Sequence, residues 1–228
     1  MVAAEHRTDW VQPILVDKAG SHLATIKCAA AASVLAWFHT GQGQPEPWEA
    51  WLSGPFTKTV RRASRAQLDR AGAADPNGVT VHLGASRAVA FTPVRYQEMP
   101  RDIARLQVSG TNLPVVTERE PREHRAPVRV VVDRALTTGK AAAQAAHALF
   151  GWTLRAHPAE VGSWWSHPLT VQVQLVDATV LADAAQTAGA VIIRDAGHTE
   201  VAPGTLTAVA VPTATRGHST HEKTVAHA

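Results

Sequence analysis

The chain has 228 residues, 45% of them hydrophobic and 18% charged, with a formal net charge of +3. That length holds one large or two small domains of a soluble globular protein, and the mild basic excess is not by itself a nucleic-acid signature. No apolar run reaches the roughly 18 residues of a membrane span, since the longest, residues 29–38, is broken by Ser33 and ends at His39. The first ten residues have no apolar core of a secretory signal. Cys28 is the only cysteine, so no internal disulfide forms and a cytoplasmic location is expected.

In chain order, QPILVDK (12–18) reads as a strand and ATIKCAAAASVLAWFH (24–39) as an alanine-rich helix. WLSGPFTKTVRRASRAQLDRA (51–71) holds an alternating strand followed by a helix, and GVTVHLGA (78–85) is another strand. Lys58, Arg61, Arg62 and Arg65 form a basic cluster there, either a solvated face or a phosphate-contacting patch. Residues 113–126 are charged, proline-rich and without apolar period, as a linker would be.

VRVVVD (128–133) is a β-branched run and predicts a buried strand. Thr137 and Thr138 are candidate N-caps for a helix over about 140–155, with Pro158 and Gly162 ending or breaking the helical pattern beyond it. Val171, Val173 and Leu175 alternate with Gln172 and Gln174 in a strand over 168–177. A helix over 178–190 stops at Gly189, and strands over 191–197 and 205–212 complete the half. The last residues, from 214, read as a disordered tail, with His218, His221 and His227 lacking partners at metal-ligand spacing. No metal or cofactor is expected.

The two halves share one plan. The expected fold is α/β, two tandem copies of a small mixed four-stranded sheet flanked by helices, over residues 8–112 and 127–213. Trp48 and Trp51 precede a strand as Trp164 and Trp165 precede its counterpart, which points to paired core or inter-domain packing. Cys28, amid alanines, reads as a packed core residue.

Helical geometry places Lys140, Gln144 and His147 on one stripe of an otherwise alanine-built helix. The stripe is either solvent-facing or one wall of a site, and the alanines leave room for another backbone or a bulky ligand. Lys140 lies in the first turn, where the helix dipole disfavours a cation unless a carboxylate or anion compensates it. Asp195 and Thr199 lie just past a strand end, where α/β sheets place functional groups, or else they only shape the turn.

GKAAAQAAHA (139–148) and IIRDAGHTEVAPGTLTAVAV (192–211) together resemble the two signature blocks of the type 2 peptidyl-tRNA hydrolases. The family pattern is GK-x-A-A-Q-x-x-H-A on a helix, then D-A-G-R-T-Q-x-x-P-G before the last strand. Asp133 matches an acidic position of the family's first loop. The resemblance implies cleavage of the ester between peptide and tRNA, with peptidyl-tRNA as partner and no membrane. Lys140, His147, Asp195 and Thr199 are implied as catalytic. Gln144, Asp133, Gly139, Gly197 and His198 are implied as substrate-binding. His147 or Asp195 would handle water, and Lys140 an oxyanion or phosphate.

Three departures stand out: His198 for arginine, Glu200 for glutamine, and Val131 for an arginine after the first strand. They imply a loss of positive charge near an RNA site. The alternative is therefore a catalytically impaired RNA- or ribosome-binding module that retains the fold. The N-terminal half lacks the signatures, with Gly84 expected in place of Asp195, and reads as a non-catalytic copy. Since the family pairs as homodimers, such a chain would be a monomeric pseudo-dimer. The tryptophans are alternatively stacking platforms for unpaired 3′ bases.

Overall fold

The computed structural model describes residues 9–41, 43, 46–116, 126–197 and 200–213. The expected tail from 214 and most of the expected linker lie outside the described residues. The N-terminal half runs β1 (Trp10–Asp17), α1 (His22–Thr40), α2 (Glu46–Leu52), β2 (Lys58–Ala63), α3 (Arg65–Ala74), β3 (Val79–Leu83), β4 (Ser86–Ala90), β5 (Val94–Arg95) and α4 (Arg101–Ala104). The C-terminal half runs β6 (Val128–Asp133), α5 (Thr138–Thr153), α6 (Pro158–Ser166), β7 (Gln172–Val176), α7 (Ala178–Ala184), β8 (Val191–Arg194) and β9 (Leu206–Pro212).

Each half forms one mixed sheet, and the two share a strand order: β2-β1-β4-β3 and β7-β6-β9-β8. The first strand of each is parallel to one neighbour and antiparallel to the other. Ile14 pairs with Val60 and Ala90, and Val130 pairs with Val173 and Ala210, so the ladders correspond residue by residue. The N-terminal sheet adds the two-residue β5, which pairs with the start of β1. The strand β4, which no sequence pattern marked, completes the parallel between the halves.

Strand β6 and the start of β9 lie as the β-branched runs predict. Pro158 corrects an expectation: it opens α6 rather than breaking a helix. His157 and Glu160 form a reciprocal capping box there, and a proline in the first helical turn lacks only an N–H that would be unbonded anyway.

The two halves meet through their alanine helices. α1 packs along α5, and Ala29 to Ala32 of one and Ala141, Ala142, Ala145 and Ala146 of the other are buried in one apolar cluster. The room beside the alanines is thus filled by another backbone, not by a ligand. α1 is long and apolar enough to cross a membrane by composition, yet 67% of that stretch is buried inside the protein. Val128, Val130 and Val132 join the same cluster, whereas Val131 points to the opposite face with Leu181, Val209 and Val211. Cys28 is buried in the shared core.

A close helix pair tolerates added volume poorly. Ala145→Leu is expected to lower the unfolding free energy by about 1–3 kcal/mol, measured by denaturant titration. Residues 121–228 expressed alone would expose the apolar side of α5. Self-association or a lower melting temperature is expected, and a monomer as stable as the whole chain would overturn the shared-core description.

Candidate active site

The site is built where the first turns of α5 approach the loop after β8. Asp195 leaves β8 buried, tied by its N–H to Thr205 O at 2.9 Å and by its carbonyl to Gly204 N at 2.7 Å. Its Oδ1 accepts from Gly197 N at 2.7 Å. Its Oδ2 accepts from Lys140 Nζ at 2.5 Å and from Gln144 Nε2 at 2.8 Å. Here is the compensation that a lysine at a helix N-terminus requires: a carboxylate brought from another strand. With three donors engaged, Asp195 anchors the side chains around it.

Gln144 is held at both ends, because Thr207 Oγ1 donates to its Oε1 at 2.8 Å. Thr207, fully buried in β9, is a site residue that the sequence patterns do not mark. Its one signal is a hydroxyl at an inward position of a strand otherwise made mostly of Ala and Val. Gly197 has φ +83° and packs on Pro203, whose N would lie 2.8 Å from an added Cβ. A residue with a side chain would therefore both strain and open the turn that carries Asp195.

His147 is half-buried on the same face of α5, two turns beyond Lys140. Its ring lies 5.4 Å from that of Phe56, which comes from the N-terminal half. No hydrogen bond reaches it among the described residues. Burial, then the positive charges of Lys58 and Lys140, push its imidazole well below the ordinary histidine range, so it is neutral at neutral pH.

Other expected site residues stand apart. Asp133 ends β6 and accepts from Ala135 N at 2.9 Å, closing its own turn. Gly139 gives its N–H to Thr111 O at 3.0 Å, and a Cβ there would come within 3.1 Å of Thr111 Cβ, so another protein segment occupies its open side. His198 and Thr199 lie outside the described residues. Glu200 accepts from Thr137 N and, at 2.5 Å, from Thr137 Oγ1, which braces the start of α5. Thr137 holds the N-cap position, but its hydroxyl serves Glu200 instead of the helix.

Two expectations are corrected. Val131 is buried beneath α7 because strand alternation turns it away from α5, so its identity removes no charge from the site. The basic cluster is not one patch. Lys58 and Arg61 are buried, and Arg61 donates to the carbonyls of Ala104 and Leu106, while Arg65 is exposed and pairs with Asp17 at 3.4 Å. The ladders align Val79 with Val191, and the register shift between Ile193 and Arg194 leaves the end of β3, Leu83 and Gly84, in the place of Asp195, with no carboxylate in either residue. Trp48, Trp51 and Trp164 are buried, in keeping with packing, while Trp165 is exposed with its edge on Phe38.

Asp195→Ala would leave the Lys140 ammonium buried without its carboxylate, and a loss of about 3–5 kcal/mol in unfolding free energy is expected from denaturant titration. The pH dependence has a definite sign. Below the ordinary value of 6.5 the unfolded chain protonates His147 while the folded chain resists it. Stability therefore falls as pH drops from 6.5 through the depressed folded value and is unaffected above it, and burial of His22 adds to the fall. His147→Gln is expected to flatten this fall between pH 7.5 and 5.

A search of the curated proteins finds no match for the chain. The family model described as Peptidyl-tRNA hydrolase PTH2 matches residues 128–218, a span that begins with β6 and includes α5, the Asp195 turn and β9. The match supports the type 2 peptidyl-tRNA hydrolase family for the C-terminal half of the chain.

Proposed function

We propose that the chain hydrolyses the ester joining a peptide to the terminal ribose of tRNA, acting in the cytoplasm. The observation that carries this reading is the junction of the two signature segments, in which Asp195 binds Lys140 and Gln144 while His147 stands beside them with no hydrogen bond among the described residues. Ester hydrolysis needs a base for water and positive charge for the developing oxyanion. Asp195 is engaged by three donors, whereas neutral His147 has a lone pair to offer. His147 is the base in this reading, and Lys140 stabilises the oxyanion. Gln144 orients water or ribose, and Thr199 adds a hydroxyl.

The N-terminal half stands in for a second subunit. Its matching strand order and the α1–α5 contact support a tandem copy that makes the chain a pseudo-dimer. His198, in place of the family arginine, favours the second reading, an RNA- or ribosome-binding module that keeps the fold.

Single-turnover cleavage of a peptidyl-tRNA separates the two. Lys140→Ala is expected to slow cleavage by about 10²–10³, and His147→Ala by about 10²–10⁴. Wild-type protein that binds tRNA in a salt-sensitive way without cleaving it would favour the binding module. Equal rates in wild type and both variants would sink the site assignment.

A further inference from the structure

Lys58 is the least expected side chain in the molecule. It lies in β2, 7% exposed, and its Nζ has no hydrogen-bond partner among the described residues. Three rings surround that nitrogen instead. The centroid of Trp51 is 4.1 Å away, that of Phe150 4.3 Å and that of Phe56 5.3 Å. Trp51 and Phe56 come from the N-terminal half and Phe150 from α5, so the cage closes only across the contact between the halves.

The matching ladders show what this position would hold by default. Lys58 lies two residues before Val60, and Val171 lies two residues before Val173, the counterpart of Val60. Val171 is a buried apolar residue, 1% exposed, where the C-terminal sheet approaches α1. Packing at this place is therefore met by a valine, and a lysine brings an unsolvated charge that packing does not need. Phe56 adds to the argument. It is the only non-glycine among the described residues with positive φ, at 34°. That strained backbone sets one ring against both Lys58 and His147.

We propose that Lys58, on the N-terminal half, is a positioning residue for His147 on the C-terminal half, acting as the like-charged neighbour that keeps the site's imidazole a base. The role in catalysis rests on the hydrolase reading above. Three ring faces favour an ammonium at Nζ, so of two neighbouring basic groups Lys58 takes the proton and His147 stays neutral. Burial opposes the charge on Lys58 and draws its amine well below the ordinary lysine value, and the rings offset part of that loss.

The charged and titratable groups on the elements around α5 are few. α1 carries His22, Lys27 and His39, and α2 carries the exposed Glu46 and Glu49. β2 carries Arg61 and Arg62 besides Lys58, β6 carries Arg129 and Asp133, β8 carries Arg194 with Asp195 after it, and β9 carries none. Lys58 and Lys140 are the two whose charge acts on His147, and Lys140 is matched by Asp195.

The test uses the full chain with Lys58→Met and Lys58→Arg. Three properties are read: the melting temperature, the NMR titration of the His147 ring, identified by its absence in His147→Gln, and the acid limb of kcat/KM on peptidyl-tRNA. Lys58→Met is expected to melt at or above the wild-type temperature. Its His147 should titrate closer to the ordinary histidine value, with the acid limb moved up in pH alongside it. Lys58→Arg keeps the charge and is expected to hold both near wild type. An unchanged His147 midpoint in Lys58→Met overturns the proposal. So does a Lys58→Met chain that fails to fold, because the charge would then serve the fold. Should wild type not cleave peptidyl-tRNA while Lys58→Met still moves the His147 midpoint, the hydrolase reading fails and the link between Lys58 and His147 stands.

Discussion

The contact between the two alanine helices is the constraint on which the rest depends. Two helices pack this closely only where side chains are small, and α1 and α5 present alanines along the shared side. Their approach joins both sheets to one apolar cluster and draws β2 of one half onto the helix of the other. It also leaves α5 a single remaining stripe for polar groups. Lys140, Gln144 and His147 occupy that stripe, and the loop after β8 meets it. The site is thus the part of α5 that remains once α1 has taken the alanine face.

The same contact explains how one copy can lack a site without losing its fold. With Asp17 and Asp133 aligned, each closing its own turn at the end of the first strand, Lys140, Gln144 and His147 fall on Ala24, Cys28 and Ala31. All three are buried. Leu83 and Gly84, at the end of β3, stand where Asp195 would be. The polar stripe of the helix and its carboxylate partner are thus missing together, so neither is left buried without the other. Such replacement costs little, whereas the loss of one partner alone strands the other. The N-terminal half is therefore a consistent apolar variant of the same plan.

Much of this was legible in the sequence where the signal is local. Strand β6 follows from a β-branched run, β7 from alternation and α5 from its alanines. Lys140 and Asp195 are marked by two motifs, and the helix dipole asks for a carboxylate or an anion at the first turn; the structure supplies Asp195. The hidden part is non-local. Nothing near Lys58 and Arg61 says that β2 lies between α5 and the segment 104–106, so four neighbouring basic residues looked like one surface patch. Val131 looked like a site position until the pleat of β6 assigned it to the other face. Thr207 is one hydroxyl in an apolar strand, and only its bond to Gln144 gives it meaning. The turn residues His198 and Thr199 lie outside the described residues, so the motif alone speaks for them.

The charge balance of the site is set by who partners whom. Lys140 and Asp195 neutralise each other at 2.5 Å, with side chains only 11% and 5% exposed. Gln144 is fixed between Asp195 and Thr207 and cannot turn without breaking two bonds. Once these groups are committed to one another, the stripe offers His147 as the group with an unengaged nitrogen among the described residues. Burial is the first cause that lowers His147, and nearby positive charge adds to it. The additional unmatched cation near His147 is Lys58, and it belongs to the half that has no site of its own. A second copy that had only to pack would carry a valine there, as the C-terminal half does at Val171. At this lysine the N-terminal half departs from apolar packing beside its neighbour's site.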